Sequence, residues 1–246
     1  MQELQKTEEQ MIAEWKSRYV VPKSHFNEIR IDNKRFIENE GENPISSVPY
    51  PNPNFGKIFA TSWAGDTETV KELKIGDVFY PIRVRVSIKT KIFDETDGKS
   101  KPKYTCKEVD RGEDVEIKEL ATSLTVFTGP YKDAKEKYQL RYRLALYVYR
   151  EGTVYRWEIG GQEALGSWFG VEKAVQALGV PHTVKIADII PQKNNTIYWN
   201  DLKFAVAEPF PVKDALALDD QLRNARTEDD AFDEDAPRNS TDLPFG

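Results

Sequence analysis

From Asp77 onward apolar and polar residues alternate. In VFYPIRVRVSIKTKIF the even positions Val78, Tyr80, Ile82, Val84, Val86, Ile88 and Ile92 are apolar, and Arg83, Arg85, Ser87, Lys89 and Lys91 hold odd positions. A period of two sends successive side chains to opposite faces, so this pattern predicts a long, half-buried strand. Pro81 has no backbone N–H to donate and places the start of the strand at a sheet edge or a bulge. The alternation returns in 139–150, with Leu140, Tyr142, Leu144, Leu146 and Val148 on one face and Arg141, Arg143, Ala145, Tyr147 and Tyr149 on the other. Glu151-Gly152 suits a two-residue turn into a third strand over 153–159. That loop length sets Tyr149 opposite Val154, Tyr147 opposite Arg156 and Leu146 opposite Trp157. A slip of one residue would exchange the faces.

Other stretches follow other rules. Leu4, Met11, Ile12, Trp15 and Tyr19 are spaced for a short amphipathic helix over 2–20 that Pro22 ends. Four prolines in 39–56 exclude a regular element and predict an extended arm. The stretch 94–138 is irregular: DETDGKSKPK reads as a turn or loop, and VEIKELATSLTVF fits a strand or a short helix. Ser167 can N-cap a helix from Trp168 to about Leu178, with Gly179 just past its end and Pro181 beyond. Phe169, Val171, Ala174, Val175 and Leu178 would be its buried stripe. Strands over 183–190 and 196–207 follow, joined by the turn PQKNN.

With 94–138 taken as an insertion, the order is strand, strand, strand, helix, strand, strand. The expected fold is therefore mainly β: an OB-fold-like five-stranded barrel with one helix between strands 3 and 4. Three parts are expected. Residues 1–76 form an N-terminal extension packing on the core, 77–212 the barrel, and 213–246 a disordered acidic tail.

Composition narrows the chemistry. Cys106 is the single cysteine, which excludes an internal disulfide and a multi-cysteine zinc site. His25 and His182 belong to no recognisable constellation, so no cofactor and no metal is expected. The start, MQELQKTEEQ, has neither a basic nor an apolar signal segment, and no apolar run has the length of a membrane span. The expected compartment is the cytoplasm of a bacterial cell, one infected by a phage included. Of 246 residues, the last nineteen carry the whole net charge of −6, so the body is charge-balanced.

Within that body the outward positions of the first three strands gather bases. Arg83, Arg85, Lys89, Lys91, Arg141, Arg143 and Arg156 stand there against one acid, Glu158, with Tyr147 and Tyr149 among them. Cations follow a phosphate backbone, and aromatic rings stack on unpaired bases whatever their sequence. The set therefore predicts sequence-tolerant binding of single-stranded DNA, with RNA also open. The alternative is an ordinary outer face whose tyrosines pack beneath the 94–138 insertion or the proline-rich arm. Trp157 and Trp168 are expected in the core.

The C-terminal segment, acids followed by Asp242, Leu243, Pro244 and Phe245, resembles the tip of bacterial and phage single-stranded DNA-binding proteins (SSBs). The family tip is an acidic run closing on Asp-Asp-Ile-Pro-Phe or a near variant. This resemblance implies a non-catalytic protein of DNA replication, recombination and repair. Its tip would dock partner proteins through Pro244 and Phe245 and compete with DNA for the basic face. Gly246 follows Phe245 here, where family chains close on Phe.

Catalytic readings find little. Glu95 stands where a nucleotidyl-transferring ligase motif ending at Asp97-Gly98 needs lysine. Glu116-Ile117-Lys118 fits half of a metal-dependent nuclease motif, with Asp110 or Asp114 as the further carboxylate. The rival of another class is a structural or regulatory interaction module, such as a virion component or a recombination mediator. Homo-oligomerisation stays open.

Overall fold

The structure is a computed structural model that describes residues 27–33, 36–37, 50–51, 53–64, 67–96, 99–194 and 197–229. In chain order the strands are β1 (Glu28–Ile31), β2 (Phe36–Ile37), β3 (Tyr50–Pro51), β4 (Ile58–Ala64), β5 (Thr67–Leu73), β6 (Val78–Thr90), β7 (Phe93–Thr96) and β8 (Lys99–Pro102). They continue as β9 (Tyr104–Cys106), β10 (Val115–Glu119), β11 (Thr125–Gly129), β12 (Leu140–Arg150), β13 (Thr153–Ile159), β14 (His182–Asn194) and β15 (Ile197–Pro209). The helices are α1 (Tyr131–Ala134), α2 (Gln162–Leu178) and α3 (Val212–Asp229). The expected N-terminal helix over 2–20 lies outside the described residues, as does most of the proline-rich arm.

The molecule is mainly β, and its principal sheet curls into a half-barrel. That sheet has eight strands in the order β15-β14-β6-β12-β13-β1-β4-β5, where a five-stranded barrel is expected from the sequence. The alternation in β6, β12 and β13 is realised as strands, and β14 and β15 are longer than expected because Pro191, Gln192, Lys193 and Asn194 stay paired. Three further strands, β1, β4 and β5, come from the N-terminal part. Beside β13 runs β1, in parallel, with Ile29 level with Trp157. Just beyond β1, Asn33 reaches β15: its Nδ2 donates to the Asn200 carbonyl at 3.2 Å, and the Asn200 N–H donates to its Oδ1 at 2.7 Å. The curl thus brings the β1 end of the sheet against β15.

The concave side holds the main core. Phe79, Trp157, Trp168 and Phe204 meet edge to face with ring centroids 5.3–6.1 Å apart, an arrangement favoured by the aromatic quadrupole. Leu144, Leu146, Val148, Ile58, Val184 and Ile186 fill the space around them. Trp157 and Trp168 therefore sit where the sequence places them. Along β6 the facing is not uniform. Its register with β12 slips between Tyr147, opposite Arg83, and Val148, opposite Pro81. Ile82 is the extra residue of a bulge beside the donor-free Pro81. A bulge reverses the alternation, so Phe79 enters the core, and Val78 and Tyr80 face the other way, contrary to the even-position rule.

Helix α2 starts at Gln162, six residues before Trp168. Its N-terminal N–H groups are capped by a distant side chain: those of Glu163 and Ala164 donate to the Asp201 carboxylate at 3.2 Å. Gly161, at φ +104°, is where the chain passes so close to Asp201 that a Cβ would lie 2.6 Å from its Oδ2. Ser167, the expected cap, lies inside the helix, where its Oγ donates to the Phe204 carbonyl. The earlier start rotates the buried stripe to Ala164, Trp168 and Val171. Phe169 and Leu178, expected inside, are exposed. Gly179 ends the helix at φ +71° as expected.

Within the 94–138 insertion the described residues form strands and a short helix rather than a loop. DETDGKSKPK contributes the β7–β8 hairpin, and VEIKELATSLTVF contributes β10 and β11 of a three-stranded sheet. A second core joins this sheet to the far end of β6 and β12, through Val86, Ile88, Val115, Ile117, Ala134, Tyr138 and Leu140. The acidic tail expected from 213 begins instead as α3, which buries Ala215 and Leu218. Ahead of it Phe210 stacks on Tyr80, with centroids 3.9 Å apart. Among the described residues no helix is long and apolar enough to cross a membrane.

Candidate nucleic-acid interface

The β12–β13 hairpin has the register that its two-residue turn dictates, with Tyr149 opposite Val154, Tyr147 opposite Arg156 and Leu146 opposite Trp157. Glu151 and Gly152 take φ of +49° and +85°, the pair of positive values that a two-residue hairpin turn needs. On the other side of β12, Tyr147 is level with Arg83, Ala145 with Arg85, Arg143 with Ser87 and Arg141 with Lys89. One outer face therefore collects Arg83, Arg85, Lys89, Arg141, Arg143, Tyr147, Tyr149 and Arg156. Lys91 lies just past the end of β6.

Most of these bases are already compensated. Glu158, central on β13, is reached by Lys89 at 3.3 Å, Arg143 at 3.0 Å and Arg156 at 3.0 Å, and it accepts a 3.0 Å hydrogen bond from Ser87 Oγ. The connection between β9 and β10 adds two more carboxylates. Its Val109 pairs with Val86 on the free edge of β6 through N–H···O bonds of 2.8 and 3.2 Å. This sends Glu108 and Asp110 over the outer face. Asp110 accepts from Arg83 Nη2 at 2.6 Å and from Arg85 Nε at 3.0 Å. Glu108 accepts from Arg156 Nε at 2.8 Å and from the Tyr147 hydroxyl at 2.8 Å. The same connection is tied to α2 by Arg111, whose guanidinium forms a fork with Glu172 at 2.7 and 2.8 Å and lies over the Phe169 ring at 5.1 Å.

The electrostatics match this pairing. Burial opposes ionisation of Glu158, but the charges of Lys89, Arg156 and Arg143 outweigh it and hold the carboxyl at about 2. Burial also opposes ionisation of Asp110, and its bonds to Arg83 and Arg85 keep it below the ordinary carboxylate range. Tyr147 is pushed far up, by burial first and then by the Glu108 charge. Its ring is mostly covered and its hydroxyl is engaged, so Tyr147 is no open stacking platform here. Tyr149 is half-buried, level with Tyr80. Lys91 and Arg141 are exposed, and neither has an acidic partner among the described residues.

Glu108 and Asp110 escaped the sequence reading. Their signal was the short alternation Glu108-Val109-Asp110, which puts two carboxylates on one side of a strand-like segment. Of the nuclease half-motif, Glu116 accepts from Thr125 Oγ1 at 2.8 Å with Lys118 3.6 Å from it, and Asp110 is bonded to Arg83 and Arg85 instead. No three His, Cys, Asp or Glu side chains among the described residues are grouped to hold a metal ion. Asp242, Leu243, Pro244 and Phe245 lie outside the described residues. No family model matches this chain, and no curated protein or solved structure does.

Proposed function

We propose that the protein is a non-catalytic, sequence-tolerant binder of single-stranded DNA. The observation that carries this reading is the outer face of β6, β12 and β13. Seven bases gather on or beside it, and three carboxylates reach five of them. The strand order supports it. With β6, β12, β13, β14 and β15 taken as strands 1 to 5, β15-β14-β6-β12-β13 is 5-4-1-2-3, with α2 between strands 3 and 4. That order is the one expected of an OB barrel opened between strands 3 and 5, with β1 beside strand 3, and so supports the reading. The face formed by the early strands of that fold is a recurrent oligonucleotide surface. Asp242, Leu243, Pro244 and Phe245 are proposed to recruit proteins of replication, recombination and repair, and to compete for the same face.

Fluorescence anisotropy with labelled oligo-dT tests the reading. Binding is expected to weaken by about fiftyfold between about 50 and about 200 mM salt if about four phosphates are contacted, because each contact releases condensed counterions. Absence of binding at the lower salt overturns the proposal. A chain ending at Asp229 keeps all of α3 and loses five acids and one base. It is expected to bind more tightly, and an unchanged affinity would remove the competition while leaving the binding.

One observation favours a second reading, contact with protein. Leu120, Leu124 and Val126 on and beside the β10–β11 connection are exposed by 47%, 65% and 38%. Under that reading oligo-dT binding is absent at either salt.

A further inference from the structure

The ion pairing divides the bases into two groups. Arg83, Arg85, Lys89, Arg143 and Arg156 are held by Glu108, Asp110 and Glu158. A phosphate approaching them has to displace either Glu158, set within β13, or a carboxylate of a connection fixed by the Val86–Val109 pair and by the Arg111–Glu172 fork. The two bases of this set without acidic partners among the described residues, Lys91 and Arg141, lie elsewhere, at the far end of the β6–β12 ribbon. Backbone bonds bring them together: the Lys91 N–H donates to the Gln139 carbonyl at 3.0 Å, Thr90 Oγ1 donates to the Tyr138 carbonyl at 2.9 Å, and the Leu140 N–H donates to the Lys135 carbonyl at 2.8 Å. Arg141 is level with Lys89. Lys91, Lys135, Lys137 and Arg141 are all exposed, and none of them has an acidic partner among the described residues. The acids of this segment, Asp133 and Glu136, likewise form no ion pair with them. Lys137 lies 5.0 Å over the ring of Tyr138, which is fixed in the second core.

The geometry points to a basic collar of Lys91, Lys135, Lys137 and Arg141 as the principal phosphate-binding site for single-stranded DNA. The arginines at the middle of the face act instead as structural ion pairs. This rests on the single-strand reading proposed above. Cations that compensate no carboxylate create the field that attracts a polyanion. Meeting a phosphate costs them no existing bond, and their release of counterions carries the salt dependence.

The test compares salt slopes of oligo-dT binding for the full chain, a Lys135→Gln/Lys137→Gln variant and a Lys173→Gln/Lys213→Gln control. The control removes the same charge from exposed positions on α2 and α3. The collar variant is expected to lower the slope of log affinity against log salt by about 1.4, at about 0.7 per lost phosphate contact, with its melting temperature unchanged. The control is expected to keep the full slope. Unchanged binding in the collar variant, or an equal fall in the control, overturns the collar while leaving single-strand binding intact. Absence of binding by the full chain at low salt overturns the reading on which the collar rests. Equal affinity for duplex DNA of the same length would assign the collar to duplex phosphates and overturn its single-strand role.

Discussion

Glu158 has three cations and a hydroxyl around one carboxylate, and little water reaches it. Its side chain is 16% exposed, against 50% for Lys89. Charge-assisted hydrogen bonds of this kind contribute more than neutral ones, and removing the shared acceptor leaves several donors without it. Glu158→Gln is therefore expected to lower stability by about 2 kcal/mol at neutral pH, read from chemical denaturation. The pH dependence has a definite sign. The folded-state value, about 2, lies below the ordinary 4.5. Between those values the unfolded chain binds more protons, so the contribution of Glu158 is complete above about 4.5 and is lost as pH falls toward 2. In the Gln variant the decline of stability between pH 4.5 and 2 should be shallower. An equally steep decline would place the acid sensitivity in other carboxylates. That Glu158 faced outward was legible in the alternation of β13. Its partnership with Ser87, Lys89 and Arg143 was not, because they come from β6 and β12, whereas Arg156 lies two positions away on β13 itself.

At the level of elements, pattern and structure part company wherever a distant group intervenes. The alternation of β6 is correct from Val84 onward and reversed before Pro81, because one bulged residue shifts the phase without altering the composition. The start of α2 is set by Asp201, thirty-eight positions after Glu163, and local cap rules favoured Ser167 for lack of any nearer sign. Helix α3 is a third case. It is acidic and its apolar positions are sparse, so it reads as a tail, yet Ala215 and Leu218 are buried. Short helices gain most of their stability from such packing. Leu218→Glu should release α3 from the sheet, raising amide exchange along 212–229 while β12 and β13 stay protected. The cost of exposing that side chain is about 2 kcal/mol. Exchange that rises equally in β12 would make α3 part of the central cooperative unit instead.

For the whole molecule, the decisive feature is the N-terminal third. A boundary at 76 is natural in the sequence, where the alternation begins, but the sheet continues across it. The free side of β13 is covered by β1, which is followed outward by β4 and β5, and Ile29, Ile58, Ala60 and Leu73 belong to the main core. A chain beginning at Asp77 would expose that core and leave β13 as a bare edge, the arrangement that promotes strand-to-strand aggregation. It is expected to be insoluble or to elute as large aggregates on size exclusion. A monomeric, folded product would make 77–246 an independent unit. The sequence by itself determined the strands with two-residue periodicity, the hairpin register, the helix stop at Gly179 and the concentration of bases on one face, because each follows from neighbours along the chain. Only the tertiary structure decided that five of those bases are compensated and that Tyr147 is covered. It alone brought β1 beside β13 and left the uncompensated bases at the end of the ribbon. Those outcomes depend on pairs far apart in sequence, such as Glu108 with Arg156 and Asp110 with Arg83, and no local period records which distant carboxylate a folded chain brings to an arginine.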